Sequence, residues 1–189
     1  MLRLLHMIAV TMLVSIMNLH GNESLDSLRA GLAIEKNVSI KLELLIDKSR
    51  FFNKDIKNVA KCEDILSQAL SIAKKDSAYW ALSKVHNSYG MLYRNIAEYS
   101  RALEHHKISL RYAKKSKNKH LISNAYNNIG VVYRRMDNHP KAAQNHLLAL
   151  KAADAVKDTF NTAVSLNSLG NIYSLSGQYQ EAFSYFKRA

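Results

Sequence analysis

The amino-acid sequence predicts an all-α fold, a solenoid of antiparallel helix pairs stacked side by side. Three observations carry that expectation. Anchor residues recur every 40 positions: Asn87, Asn127 and Asn167; Gly90, Gly130 and Gly170; Tyr93, Tyr133 and Tyr173; Ala102, Ala142 and Ala182. A fixed period between about 20 and 50 residues marks an array in which each unit buries its apolar face only against its neighbours. Apolar residues within each period fall at helical spacing, three and four apart. One proline and six glycines in 189 residues leave few helix breakers, and a 48% hydrophobic content is enough for a continuous core.

In chain order, residues 1–21 come first. Arg3 and His6 precede the apolar run from Met7 to Met17, and polar residues follow from Asn18. A positive start, a short apolar middle and a polar exit predict a signal peptide or an uncleaved N-terminal membrane anchor. A buried first helix is the alternative. Either of the first two readings places the rest of the chain outside the cytoplasm, periplasmic, secreted or anchored to the inner membrane. Residues 22–38 read as a polar lead-in.

The array is expected over residues 39–189. Residues 39–78 form a degenerate first repeat, with Leu42, Leu45, Ile46 and Ser49 on one helical face and Arg50 where later repeats have glycine. Terminal repeats depart from the pattern because they cap the stack. The better repeats are 79–118, 119–158 and an incomplete 159–189. Their helices are expected at about 78–95 and 99–115, 119–136 and 139–155, then 158–176 and 179–189. Pro140 suits the first turn of a helix, where its missing N–H costs nothing, and Gly177 marks the equivalent turn one repeat later. Cys62 falls in register with the alanines and predicts a small buried position; a single cysteine excludes a disulfide framework.

The pattern N-x-x-G-x-x-Y, with Ala nine positions beyond the Tyr, resembles the tetratricopeptide repeat. Gly90/Tyr93/Ala102, Gly130/Tyr133/Ala142 and Gly170/Tyr173/Ala182 match it, while the consensus Trp is replaced by His86, Tyr126 and Leu166. The period of 40 is similar to the longer variant found in kinesin light chains and many bacterial regulators, rather than the usual ~34. The resemblance implies a right-handed solenoid whose first helices line a concave groove. It also implies a non-enzymatic scaffold that binds proteins or peptides. A leader followed by 40-residue repeats looks like the extracytoplasmic sensory input of bacterial sensor kinases and transcriptional regulators, so the alternative is part of a longer signalling protein.

Through the resemblance, the groove wall takes Lys84, Asn87 and Arg94 from one repeat, Asn124, Asn127 and Arg134 from the next, and Asn167 and Asn171 from the last. Their spacing keeps each set on one helical face. Asn87, Asn127 and Asn167 are expected to form a ladder whose amides donate to and accept from a bound backbone, the alternative being that they bond helix to helix inside the stack. Arg94 and Arg134 are expected to grip a carboxylate in fork geometry. Arg135, turned by about 100° on the helix, is the weaker candidate.

The formal charge is +12, and residues 81–160 carry 14 Lys and Arg against 5 Asp and Glu. That charge suits an acidic protein segment, nucleic acid or anionic lipid, the alternative being a solvated basic surface with no specific partner. Nucleic acid is not expected, because base-stacking aromatics are not evident in the groove. No metal site or cofactor is expected: His105 and His106 are adjacent and so face apart on a helix, and His106 and His146 align with Phe186 at a packing position. No catalytic motif appears, so an enzyme is not predicted.

Overall fold

The computed structural model describes residues 37–53 and 58–189. The expected leader and most of the lead-in lie outside the described residues. Eight helices fill the described span: α1 (Val38–Phe52), α2 (Val59–Lys75), α3 (Tyr79–Asn95), α4 (Tyr99–Lys115), α5 (Lys119–Arg135), α6 (His139–Asp154), α7 (Thr159–Leu175) and α8 (Tyr179–Arg188). Each odd-numbered helix pairs with the even-numbered one after it. The odd helices also pack on one another, α1 on α3, α3 on α5 and α5 on α7, which sets them in one inner layer.

The turns have a shorter period than the helices. Ser77, Ala97, Lys117, Asp137, Lys157 and Gly177 all have positive φ, between 49° and 75°, and they fall every 20 residues. At each, two backbone bonds close the helix end. At Ala97 the amide donates to the Arg94 carbonyl (3.1 Å) and the next amide, of Glu98, donates to Tyr93 (2.9 Å). This double closure satisfies carbonyls that the helix itself leaves open. Asn118, Asn138 and Asp158 then cap the following helices by accepting from backbone amides three residues on, at 3.0 to 3.2 Å.

Inside each hairpin the glycine anchors have a steric reason. A Cβ at Gly90 would sit 2.5 Å from the His106 ring, at Gly130 2.7 Å from His146, and at Gly170 2.6 Å from Phe186. The ring on the second helix lies flat against the bare backbone of the first. His106 and His146 are fully buried there. Burial first, and for His106 the nearby Arg94 and His105, hold its imidazole down to about 3. His146 is held at about 4 by burial and Arg134.

The first two hairpins share one apolar core with α5. Leu42, Ile46, Cys62, Leu66, Val85 and Leu92 meet in it, with Val132 reaching in from α5. Burial raises the Cys62 thiol to about 11, as expected of a packed, unreactive sulfur. A smaller core of Leu150 from α6 with Leu166 and Leu169 from α7 joins the last hairpin to the third. No described helix is long and apolar enough to cross a membrane.

Candidate functional site

Contacts across neighbouring inner helices do not keep to the repeat period. Asn127 and Ser165 meet at an offset of 38 and Asn53 and Asn95 at 42, while three further pairs are offset by 41. Lys84 pairs with Glu43. The Asn128 amide donates to the Asn87 carbonyl oxygen at 2.8 Å. Arg135 faces Arg94 across a cleft of about 550 Å³ lined also by Asn95, Ala97, Tyr99 and Val131. Along the inner surface these contacts are an ion pair, an amide pair, and two like charges.

The three asparagines of the ladder have different surroundings. Asn127 is 4% exposed, so it does not present its amide to the groove. Its carbonyl oxygen takes hydrogen bonds from His146 Nδ1 (2.9 Å) and Ser165 Oγ (3.0 Å). It therefore ties α5 to α6 and α7, which corrects the expectation that it contacts a bound backbone and matches the alternative of a helix-to-helix role. Asn87 is half-buried and committed to Asn128. Asn167 is exposed, since no further inner helix stands beside α7 among the described residues. The same register thus places three asparagines in three surroundings.

The other groove candidates divide similarly. The Lys84 ammonium is spent on Glu43 and lies 5.3 Å from the Trp80 ring centroid. Asn124 and Asn171 are exposed, and Arg94 and Arg134 are half-buried. Burial, then Arg135 and Arg134, lower the Arg94 guanidinium below its ordinary value. Among the described residues, no carboxylate lies within ion-pairing distance of Arg94, Arg134 or Arg135. Arg101 shows the contrast. Its guanidinium meets Glu98 at 2.8 Å and Glu63 at 3.8 Å and packs 3.8 Å over the Tyr93 ring.

Residue-by-residue alignment undervalued Arg135 and passed over Asn128. An offset of 41 would have found both: Glu43–Lys84 is an opposite-charge pair visible in the sequence at that spacing. A second cluster was also missed. His86 Nδ1 lies 3.1 Å from His105 Nδ1, His86 stacks on Tyr112, and His105 leans on Tyr89 and Tyr93. Tyr93 in turn donates to Glu63 at 2.6 Å. Sequence reasoning treated His105 only as a neighbour of His106. Among the described residues no group of three or more potential ligands forms a metal site.

The architecture defines an α-solenoid scaffold of helical hairpins. Residues 121–189 match the tetratricopeptide repeat family model, and this segment is a run of tetratricopeptide repeats continuous with the hairpins before it. No curated protein matches the chain by sequence. Solved structures match its fold. BtubC from P. vanneervenii is 16% identical with a TM-score of 0.70, the match covering 89% of this chain and 71% of that one. A Rap protein complexed with competence and sporulation factor is 20% identical with a TM-score of 0.77, covering 87% of this chain and 47% of that one. A signal transduction ATPase with numerous domains and a tetratricopeptide repeat sensor, from Pyrococcus horikoshii, is 17% identical with a TM-score of 0.77. There the match covers 95% of this chain and 28% of the other, so the chain spans less than half the length of the last two proteins.

Proposed function

We propose that the chain is a non-enzymatic scaffold that holds a protein or peptide segment against its inner helices. The observation that carries this is the unspent polar surface there. Asn124 and Asn171 are exposed and Arg94, Arg134 and Arg135 have no acidic partner among the described residues, whereas the outer Arg101 is paired. Amides serve the backbone of an extended segment and guanidinia its acidic groups. The Rap structure, solved with competence and sporulation factor, supports a fold suited to such a role.

The test is selection of displayed random peptides on the full chain. Enriched peptides should lose binding to N124A/N171A and keep it with Q144A on α6. Binding indifferent to both variants would end the groove reading.

A second reading treats the array as the extracytoplasmic sensory input of a longer signalling protein. The high coverage by a protein with a tetratricopeptide repeat sensor favours it, as does the composition of residues 1–21. An immunoblot of native cells checks it. A product well above 21.4 kDa, digested by protease while the cytoplasmic membrane is intact, is expected. A protected product at that mass would refute it.

A further inference from the structure

Two contacts and one facing pair on the same layer share an offset of 41 and differ in charge. Glu43 and Lys84 neutralise each other, and Asn87 and Asn128 share a hydrogen bond. At the third, Arg94 and Arg135 face each other across the cleft, with Tyr99, Asn95 and Val131 completing its wall. Arg94 is half-buried and Arg135 exposed, and each like charge near Arg94 disfavours its charged form until a counter-charge joins them. Helix C-termini account for one cation each, through the negative end of the dipole. They do not account for two arginines converging on one half-enclosed space. The position also continues across the stack, because Arg134 lies within electrostatic reach of Arg94.

The counter-charge that fits can be specified. A single carboxylate brings one negative charge and two oxygens. A phosphoryl group on a serine or threonine brings nearly two charges and three acceptor oxygens, enough to bridge two guanidinium forks. Tyr99 adds a neutral donor beside them, while the Asn95 amide is committed to Asn53. Both arginines sit in the last turn of an inner helix, so the cleft lies at the rim of the layer. A segment running along the inner surface can place one side chain there.

We propose that the cleft between Arg94 and Arg135 is a phosphoryl-binding subsite that takes a phosphoserine or phosphothreonine of a bound protein segment. This rests on the scaffold reading above and names the group that the scaffold selects. Free inorganic phosphate shares the chemistry but not the source.

The test uses the full chain and three labelled peptide pools with random flanks around a central phosphoserine, glutamate or serine. Fluorescence anisotropy should show the phosphoserine pool binding about tenfold or more tightly than the glutamate pool. R94Q/R135Q should remove that preference. R94K/R135K, which keeps the charge but loses the forks, should retain only part of it. Melting curves check the fold, and R94Q/R135Q should melt no lower than the unaltered chain because a repulsion is removed. Equal binding of the phosphoserine and glutamate pools, or a preference surviving in R94Q/R135Q, would overturn the proposal while leaving the scaffold reading intact. If no pool binds but inorganic phosphate raises the melting temperature through Arg94 and Arg135, the site serves a free anion and both the subsite's assigned source and the scaffold reading fail.

Discussion

Around α3 the stack is held by carbon; around α7 it is held by a few leucines and a chain of polar contacts. Leu42, Ile46, Leu66, Val85 and Leu92 are almost fully removed from water and form one body with residues from α1 to α5. At the other end Leu166 and Leu169 carry the packing, while Asn127, His146 and Ser165 bind three helices through one carbonyl oxygen. Phe160 and Phe183 are 73% and 69% exposed there. The comparison teaches that one repeat sequence does not confer one stability. A hairpin's worth depends on how many neighbours cover it, as expected of a stack with nearest-neighbour coupling.

Acid should separate the two ends most strongly. Burial first, then His105, Lys74 and Arg111, holds His86 down to about 4. His106 lies at about 3 and His146 at about 4. A histidine whose folded value is depressed binds its proton more readily in the unfolded chain. Its contribution is therefore complete above the unfolded value of about 6.5 and is lost as pH falls toward 4. Each unit of depression corresponds to about 1.4 kcal/mol, so the three together represent several kcal/mol. Urea midpoints measured from pH 7 to pH 4 should fall steadily, and α3–α4, which hold two of the three, should lose amide protection before α7–α8. H106F should flatten the slope and raise stability at neutral pH by about 1 kcal/mol, because both ring nitrogens of His106 lack partners among the described residues. H146F, in contrast, strands Asn127 and should not stabilise.

The glycine anchors sharpen the same contrast. At Gly90 an added methyl meets a buried imidazole enclosed on all sides, so G90A should cost about 3 kcal/mol by overpacking. At Gly170 it meets Phe186, which is 41% exposed and free to swing outward. The gain in helix propensity, about 1 kcal/mol, then offsets much of the strain in G170A. Equal losses for the two variants in denaturant titrations would show that burial of the ring does not decide the cost.

Much of this was legible in the sequence, and the part that was not has a physical cause. The hairpins, the glycine–ring contacts and the small buried Cys62 follow from periodicity, since a helix pair in register can close only where a side chain is missing. The inner surface was read with the wrong offset. Alignment places equal residues at intervals of 40, but neighbouring inner helices meet at 38, 41 and 42, so equivalence alone assigns Asn127 to the groove and sets Arg135 aside. Periodicity reports which residues are equivalent. It does not report which residues touch, because contact depends on how one helix is shifted against the next.

Covered and uncovered versions of one position give a smaller effect. Leu103 packs against the large core, and L103S should cost about 2 kcal/mol in lost apolar burial. Its equivalent forty residues twice over, Phe183, faces water, and F183S should change stability by less than about 0.5 kcal/mol. A cost for F183S close to that of L103S in urea titrations would mean that the outer face of α8 is covered in solution.

The turns supply the finest comparison. All six use the same backbone closure, yet only one carries glycine at the left-handed position. Ala97 adopts φ 61° with a Cβ that crowds the adjacent carbonyl, a cost of about 1 kcal/mol for a side chain with no polar atom to compensate. Asp137, at φ 54°, belongs to a residue type that tolerates this region better. A97G should therefore stabilise the chain by about 0.5 kcal/mol after the greater freedom of glycine in the unfolded state is counted. D137G should give less. Thermal melts of the two single variants decide it. If A97G melts lower than the unaltered chain, unfolded-state entropy outweighs the left-handed strain at that turn, and the twenty-residue turn period reflects tolerance of non-glycine residues rather than a standing cost.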